Sequence, residues 1–286
     1  MTGDPGSDPG LFGPSSVTWH LHADPAMWLA GVRALYLQAL HPIAVRGVVQ
    51  NSDFREDPWG RLMRTAGFVG VTTYGPRVDA EAAAARVRRV HRALRLFDPD
   101  TGSTHRVDEP DLLMWIHCAE VASYLDVVRR AGFPVSDAQA DRYLDEQRRA
   151  AALVGLPEDG VPGSVGELRA YFGSMRPVLR ATPEALDIVD FLLWPPVPAW
   201  LMPSRYLWTR VSDVAYSTLP GWARELYGRP GLPDRVATRR LRALRRMAFA
   251  IPDSLRWRIP HPYLPEAIAR LGKRTTPSAR RLRTAV

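Results

Sequence analysis

The sequence predicts an all-α fold, a single multi-helix bundle-like domain, and three observations predict it. Apolar residues recur at helical spacing, and the runs open on Asp-Pro or Ser/Thr cap signals and close on glycine or proline. No alternating series of strand length and no internal repeat is present. The 286 residues, 46% hydrophobic and 24% charged, suffice for a substantial core in one large domain or two closely packed lobes.

Taken in order, residues 1–16 are rich in Gly, Pro, Ser and Asp and predict a disordered start, followed by a helical domain over 17–272. This start lacks the basic and apolar regions of a secretory signal, which points to a cytoplasmic protein. Asp24-Pro25 opens a helix over 26–40, apolar on more than one face as a buried helix is. His41-Pro42 interrupts or kinks it, because proline lacks the N–H donor and restrains the residue before it. A short helix follows over 43–49, and Asp57-Pro58 repeats the start signal for a helix over 59–71. The alanine-rich stretch 79–97 predicts a further helix, Asp98 to Gly102 a turn, and Asp108 to Asp111 the cap of a long apolar helix reaching about Arg130. Ser136 or Asp137 starts the next, to about Val154. Shorter helices, punctuated by prolines, are expected over 165–174, 183–193, 203–217, 221–227, 234–250 and 265–271.

Composition excludes several chemistries. One cysteine, Cys118 in an apolar run, leaves no intramolecular disulfide and no thiolate zinc cluster, and predicts a buried inert thiol. Lys273 is the single lysine, which argues against Schiff-base or lysine-nucleophile chemistry, since arginine does not deprotonate to replace it. The net charge of +8 is dispersed among helices that also carry acids, which argues against specific nucleic-acid binding. The exception is the basic C-terminal tail 273–286, where Lys273, Arg274, Arg280, Arg281 and Arg283 suit peripheral contact with an anionic membrane surface. The greasiest stretch, 188–202, is broken by three prolines and carries Asp190, so it falls short of the ~20 apolar residues a bilayer helix needs. It suits the mouth of an apolar pocket, with the aromatic residues from Trp194 to Trp208 as its entrance.

Among seven histidines none forms the HExxH spacing, and nucleophile-elbow, dinucleotide and P-loop motifs are absent. Two helical constellations remain. Arg61, Arg64 and Thr65 share one side of a helix, since residues three and four apart are surface neighbours. Arg88 and Arg95 lie one turn either side of His91. An imidazole flanked by guanidinium groups suits a planar cofactor offering both a metal and carboxylates, as a haem does. Ion pairing of Arg61 and Arg64 with Asp53, Glu56 or Asp57 is the simpler role open to the first group.

The linear order is more specific. Asp24-Pro-Ala-Met-Trp-Leu-Ala-Gly31, Leu35-Tyr-Leu-Gln-Ala-Leu-His-Pro42, Asn51-Ser-Asp-Phe54, Arg61-x-x-x-Thr65, His91 and Asp111-Leu-Leu-Met-Trp-Ile-His117 together resemble the rubber-oxygenase/MpaB catalytic-domain family. The resemblance covers roughly residues 15 to 250. It implies an all-α domain of the haem-binding rubber-oxygenase type, a haem b with a proximal histidine, dioxygen as a partner, and an apolar, isoprenoid or lipid-like substrate. His91 matches the proximal ligand best, with His117 its rival and His41 third. Arg61 and Thr65 match the distal-side pair. Arg64 stands where latex-clearing relatives carry an iron-capping lysine, which a guanidinium does not replace. The relatives' proposed base has no counterpart in Ile43 to Gly47. The resemblance thus implies a haem-dependent oxygenase, with a non-enzymatic haem or lipid carrier as the alternative.

Overall fold

The computed structural model describes residues 8–195 and 202–284. Fifteen α-helices, two short 3-10 helices (Glu158–Gly160 and Lys273–Thr275) and one two-stranded hairpin make up its regular structure among the described residues, so the all-α expectation holds. In chain order these are α1 (Val17–Leu21), α2 (Met27–Gln38), α3 (Pro42–Asn51), α4 (Pro58–Tyr74), α5 (Arg77–Ala93), β1 (Arg95–Asp98), β2 (Ser103–Arg106), α6 (Pro110–Arg130) and α7 (Asp137–Val154). They are followed by α8 (Val165–Met175), α9 (Pro183–Leu193), α10 (Met202–Ser217), α11 (Gly221–Leu226), α12 (Asp234–Ala248), α13 (Asp253–Arg256), α14 (Tyr263–Leu271) and α15 (Ala279–Thr284).

The caps explain most boundaries. Asp57 accepts a hydrogen bond from the Gly60 amide at 2.8 Å, and Ser136 with Gln139 forms a reciprocal capping box at the start of α7. His41-Pro42 does break the chain: His41 caps α3, its Nδ1 accepting from the Ala44 amide at 3.3 Å. The centre of the fold is α6, which lies along α2 and buries twelve side chains from Leu112 to Val128. Arg33 of α2, 1% exposed, is tolerated there because its guanidinium donates to Ser123 Oγ (2.8 Å), the Thr218 carbonyl (3.1 Å) and Asp126 (2.8 Å).

The stretch 79–97 is not one helix. It leaves helical geometry after Ala93, and Arg95–Asp98 pairs antiparallel with Ser103–Arg106 across a turn closed by Gly102 at φ 68°. Leu96 and Asp98 point inward while Arg95 and Phe97 point out, a period-two pattern that a helix cannot supply. The Gln50 side chain of α3 pairs with the Phe97 amide and carbonyl, both at 2.8 Å, and so acts as a third strand at the free edge.

Both termini are tied down where described. Leu11 and Phe12 are buried, and Arg149 donates to the Leu11 carbonyl at 3.0 Å and stacks over Phe12. Residues 8–16 of the expected disordered start are therefore folded; residues 1–7 lie outside the described ones. Leu282 is buried in the main core, and Gln139 donates to its carbonyl at 2.8 Å, so the basic end is anchored through α15 instead of hanging free. No helix among the described residues is long and apolar enough to cross a membrane.

Candidate active site

A cavity of about 490 Å³ lies between α4 on one side and α2 and α6 on the other. Helix α4 buries side chains fully only in its last turn, Val71 to Tyr74; it packs on α5 and α14 and stands off from the α2–α6 pair. Lining residues run from Pro58 to Tyr74, the whole helix, so the cavity extends about 24 Å along its axis. The wall on α6 is Ile116, Glu120 and Tyr124, spaced by four and therefore on one face. On α2 it includes Gly31, Leu35 and Gln38. Toward the start of α4 the cavity is aromatic: Trp59 meets Trp208 edge-on with ring centroids 5.2 Å apart, and Phe54 meets Phe191 at 5.1 Å. Trp208, in the stretch expected to form the entrance, lines the cavity, while residues 196–201 of that stretch lie outside the described ones.

Polar groups are few and mostly committed. Arg61 and Thr65 both line the cavity. Arg61 donates to Ser52 Oγ, and among the described residues no carboxylate lies within ion-pair distance of it. Burial lowers its pKa, with Asp53 pulling the other way. Thr65 Oγ1 donates to the Arg61 carbonyl at 3.1 Å, which ties the hydroxyl to its own helix. Arg64 does not join them. It is exposed and pairs with Asp53 and Asp57, each at 3.1 Å, so the expected three-residue patch reduces to two.

The second constellation is not assembled as the sequence expects. His91 is half-buried on the last turn of α5 and does not line the cavity; burial lowers its pKa, with Asp108 opposing. Arg88 donates to the Leu153 carbonyl and so joins α5 to α7. Arg95 lies on β1, past the helix end, where it donates to the Arg92 and Leu94 carbonyls at 2.6 and 2.9 Å. The Arg-His-Arg helical face fails because the hairpin begins one turn early. His117 is buried on α6, next to the cavity-lining Ile116, and its Nε2 is closed from solvent with no hydrogen-bond partner. Burial pushes its pKa down to about 4. His41 is also pushed down to about 4 by burial, but it serves as a cap.

Sequence reasoning missed Glu120, Tyr124 and His22, which all line the cavity. Glu120 is half-buried on the cavity wall; burial raises its pKa, and the hydrogen bond it accepts from Tyr124 pulls it back. One signal was available: Glu120 is the sole acid in the run Leu112 to Leu125. His22 joins Thr73 Oγ1 at 2.9 Å and the Tyr143 hydroxyl at 3.0 Å through its two ring nitrogens, and burial holds its pKa at about 3. It is a neutral, fully engaged imidazole. Cys118 is buried, and its thiol is pushed up to about 12. Among the described residues no three His, Cys, Asp or Glu side chains group to hold a bare metal ion, whereas a haem iron asks the protein for a single axial donor.

Comparison with curated proteins and with solved structures found no match. The profile described as ER-bound oxygenase mpaB/B'/Rubber oxygenase, catalytic domain, matches residues 19–250, which include α2, α4, α6 and the Arg61–Thr65 pair. The chain therefore belongs to the mpaB/rubber oxygenase catalytic-domain family.

Proposed function

We propose that this protein is a haem-dependent oxygenase whose substrate is an apolar chain, isoprenoid or otherwise lipid-like, lying along α4. The observation that carries this is the elongated, apolar-walled cavity onto which Arg61 and Thr65 of the family motif open. Its volume falls within the range of roughly 300–1,000 Å³ typical of small-molecule sites.

The resemblance to the family is the reason to expect a haem, while neither His91 nor His117 lines the cavity. His117 offers a neutral imidazole on α6, the helix of the cavity wall, but its Nε2 is enclosed by protein atoms and faces no open space. His91 offers a second neutral imidazole, on α5 beside Arg88. His91 or His117 would hold the iron, and either would need a local rearrangement to present its imidazole to the cavity. When bound, haem b supplies the activation of dioxygen.

The chain's own residues do the remaining work. The aromatic and aliphatic wall excludes water and aligns an extended chain with α4. Arg61 keeps a fixed positive charge at the wall, suited to stabilising negative charge on an oxygen atom beside it. Glu120, with its pKa raised, holds a proton on its carboxyl to higher pH than an exposed glutamate does and can pass it to an oxygen in the cavity. His22 keeps Thr73 and Tyr143 in fixed orientation.

The test is to supply haem during expression and record the visible spectrum, then to measure oxygen uptake with unsaturated isoprenoids. A Soret band that shifts or vanishes in His117→Ala or His91→Ala, together with uptake and carbonyl products, is expected. No Soret band would overturn the cofactor assignment. Haem binding without oxygen uptake would favour a carrier.

A further inference from the structure

We infer that residues 246–259, at the end of α12 and through α13, dock the molecule into the interface of an anionic lipid bilayer, at a place where the cavity reaches the surface. The inference takes from the proposed function only that the cavity receives an apolar ligand, and it needs no haem. Most of the segment follows residue 250, the end of the stretch matched by the family profile.

Large apolar side chains are exposed at fourteen positions among the described residues, and five of them, Met247, Phe249, Ile251, Leu255 and Ile259, fall in one stretch of thirteen, each 47–67% exposed. Scattered singly, such residues need no explanation; gathered in one patch they mark an interaction surface. The backbone gathers them. The Ile251 amide donates to the Ala248 carbonyl at 3.2 Å, Leu255 to that of Pro252 at 2.9 Å and Arg258 to that of Leu255 at 3.2 Å, so the chain folds on itself in successive turns. Phe249 meets two guanidinium groups, its ring centroid 4.8 Å from the Arg245 carbon and 4.5 Å from the Arg256 carbon, which joins the end of α12 to α13 in one tip.

The charge around the tip says what covers it. Residues 235–260 hold eight arginines and one acid, Asp253, in a chain whose whole net charge is +8. Arg245 pairs with Asp24, and Arg256 with Asp253. The other six, Arg235, Arg239, Arg240, Arg242, Arg246 and Arg258, are exposed, and no carboxylate among the described residues lies within ion-pair distance of them. Arg235, Arg239, Arg242 and Arg246 are spaced by four, three and four, so they form a stripe on the face of α12 opposite the buried Ala237 and Leu241. Unmatched cations beside exposed aliphatic side chains call for a partner with negative charge over an apolar layer. An anionic bilayer has both, a nucleic acid has the charge without the layer, and a second copy of this chain would bring like charges together. Ile259 is exposed and also lines the cavity, with Trp257 and Pro260 beside it on the wall. A ligand dissolved in the acyl layer would therefore pass from bilayer to cavity at the tip without crossing bulk water.

Haem-free, full-chain protein is mixed with vesicles of phosphatidylcholine alone or with phosphatidylglycerol added, and bound protein is separated by sedimentation at low and at physiological salt. Wild type is expected to bind the anionic vesicles at least about tenfold more tightly than the neutral ones, with the difference shrinking as salt screens the surface. Arg246→Gln with Arg258→Gln should weaken anionic binding on the order of tenfold, and Ile251→Ser with Leu255→Ser by at least as much. All four positions are exposed, so both variants should keep the wild-type urea midpoint. Insertion is read independently on Leu255→Cys carrying an environment-sensitive fluorophore, the native thiol of Cys118 being buried; a blue shift with anionic vesicles is expected. No binding to anionic vesicles at low salt, or a label that stays in water, overturns the inference. So does binding that Ile251→Ser with Leu255→Ser leaves unchanged, which would make the contact purely electrostatic; duplex DNA bound at the same salt would then name nucleic acid as the partner. A missing Soret band together with tip-dependent vesicle binding would refute the oxygenase proposal and leave this one standing.

Discussion

Replacing His117 by leucine should leave the haem-free protein at least as stable as wild type, and more so in acid. The buried Nε2 lacks a partner, and an unmatched buried polar group costs about 1–3 kcal/mol, offset in part by the misfit of a branched side chain in a space shaped for a planar ring. The pH dependence adds a separate signature. The folded-state pKa is about 4 against an ordinary 6.5, so between those values the unfolded chain binds the extra proton. Stability from the neutral imidazole is complete above the ordinary value and is lost as pH falls, at up to roughly 1.4 kcal/mol per pH unit, until the folded pKa is passed. At about pH 5 this amounts to roughly 2 kcal/mol that wild type has lost and His117→Leu has not. Urea unfolding of both proteins, haem-free, at about pH 7.5 and about pH 5 measures the difference directly. His22 and His41 titrate in the same direction in both proteins and cancel. If the leucine variant is destabilised equally at the two pH values, the imidazole is neither orphaned nor buried as described, and its candidacy as an iron ligand goes with it.

Three further outcomes follow from the same geometry. Arg245→Ala strips the buried Asp24 of its bidentate partner, and loss of one member of a buried pair should cost about 3–5 kcal/mol, measured as a lower urea midpoint. Gly70→Ala would bring a Cβ to 2.7 Å from Tyr263 Cδ2; overpacking of about 1–3 kcal/mol is expected, with a fall in thermal midpoint as the check. Glu120→Gln removes a carboxyl with a raised pKa, whose stabilising contribution is present below the ordinary glutamate pKa and lost as pH rises through the folded one. Thermal midpoints of wild type should therefore fall relative to the glutamine variant on going from about pH 4 to about pH 7.

What was legible in the sequence follows from the range over which each signal acts. Caps and prolines act within four residues, and they located the starts of α4, α6 and α7 and the break at His41 to within a residue or two. The failure at residues 94–97 has a long-range cause: alanine and arginine favour helix, but Gln50 and Arg46 of α3 capture the strand edge and the buried Asp98 from about fifty positions away. The site divides the same way. Arg61 and Thr65 were legible because a helix face puts residues four apart together. Tyr124 and His22 were not, since their place on the wall arises from elements distant in sequence meeting one void, and Glu120 showed only as a lone acid in an apolar run. Arg64 and Arg95 looked equivalent to Arg61 in pattern, yet local acids and the hairpin turn them elsewhere.

The void itself is sustained by small residues, and Gly31 gives the sharpest test of that view. It lies inside α2, where glycine costs about 1 kcal/mol relative to alanine, and a Cβ built there meets nothing within 4 Å. No turn or close approach requires it, so packing does not explain a glycine at this position; its place on the cavity wall does. Gly31→Ala should therefore raise stability by up to about 1 kcal/mol, a gain of roughly 2 °C in thermal midpoint for a domain of this size. Gly31→Phe should keep the fold but project a ring into the space between α2 and α4, and affinity for a fluorescent polyene fatty acid should collapse while the unfolding transition stays cooperative. A destabilised alanine variant, or a phenylalanine variant that binds the probe as wild type does, would mean that α4 closes onto α2 in solution and that the ligand lies elsewhere.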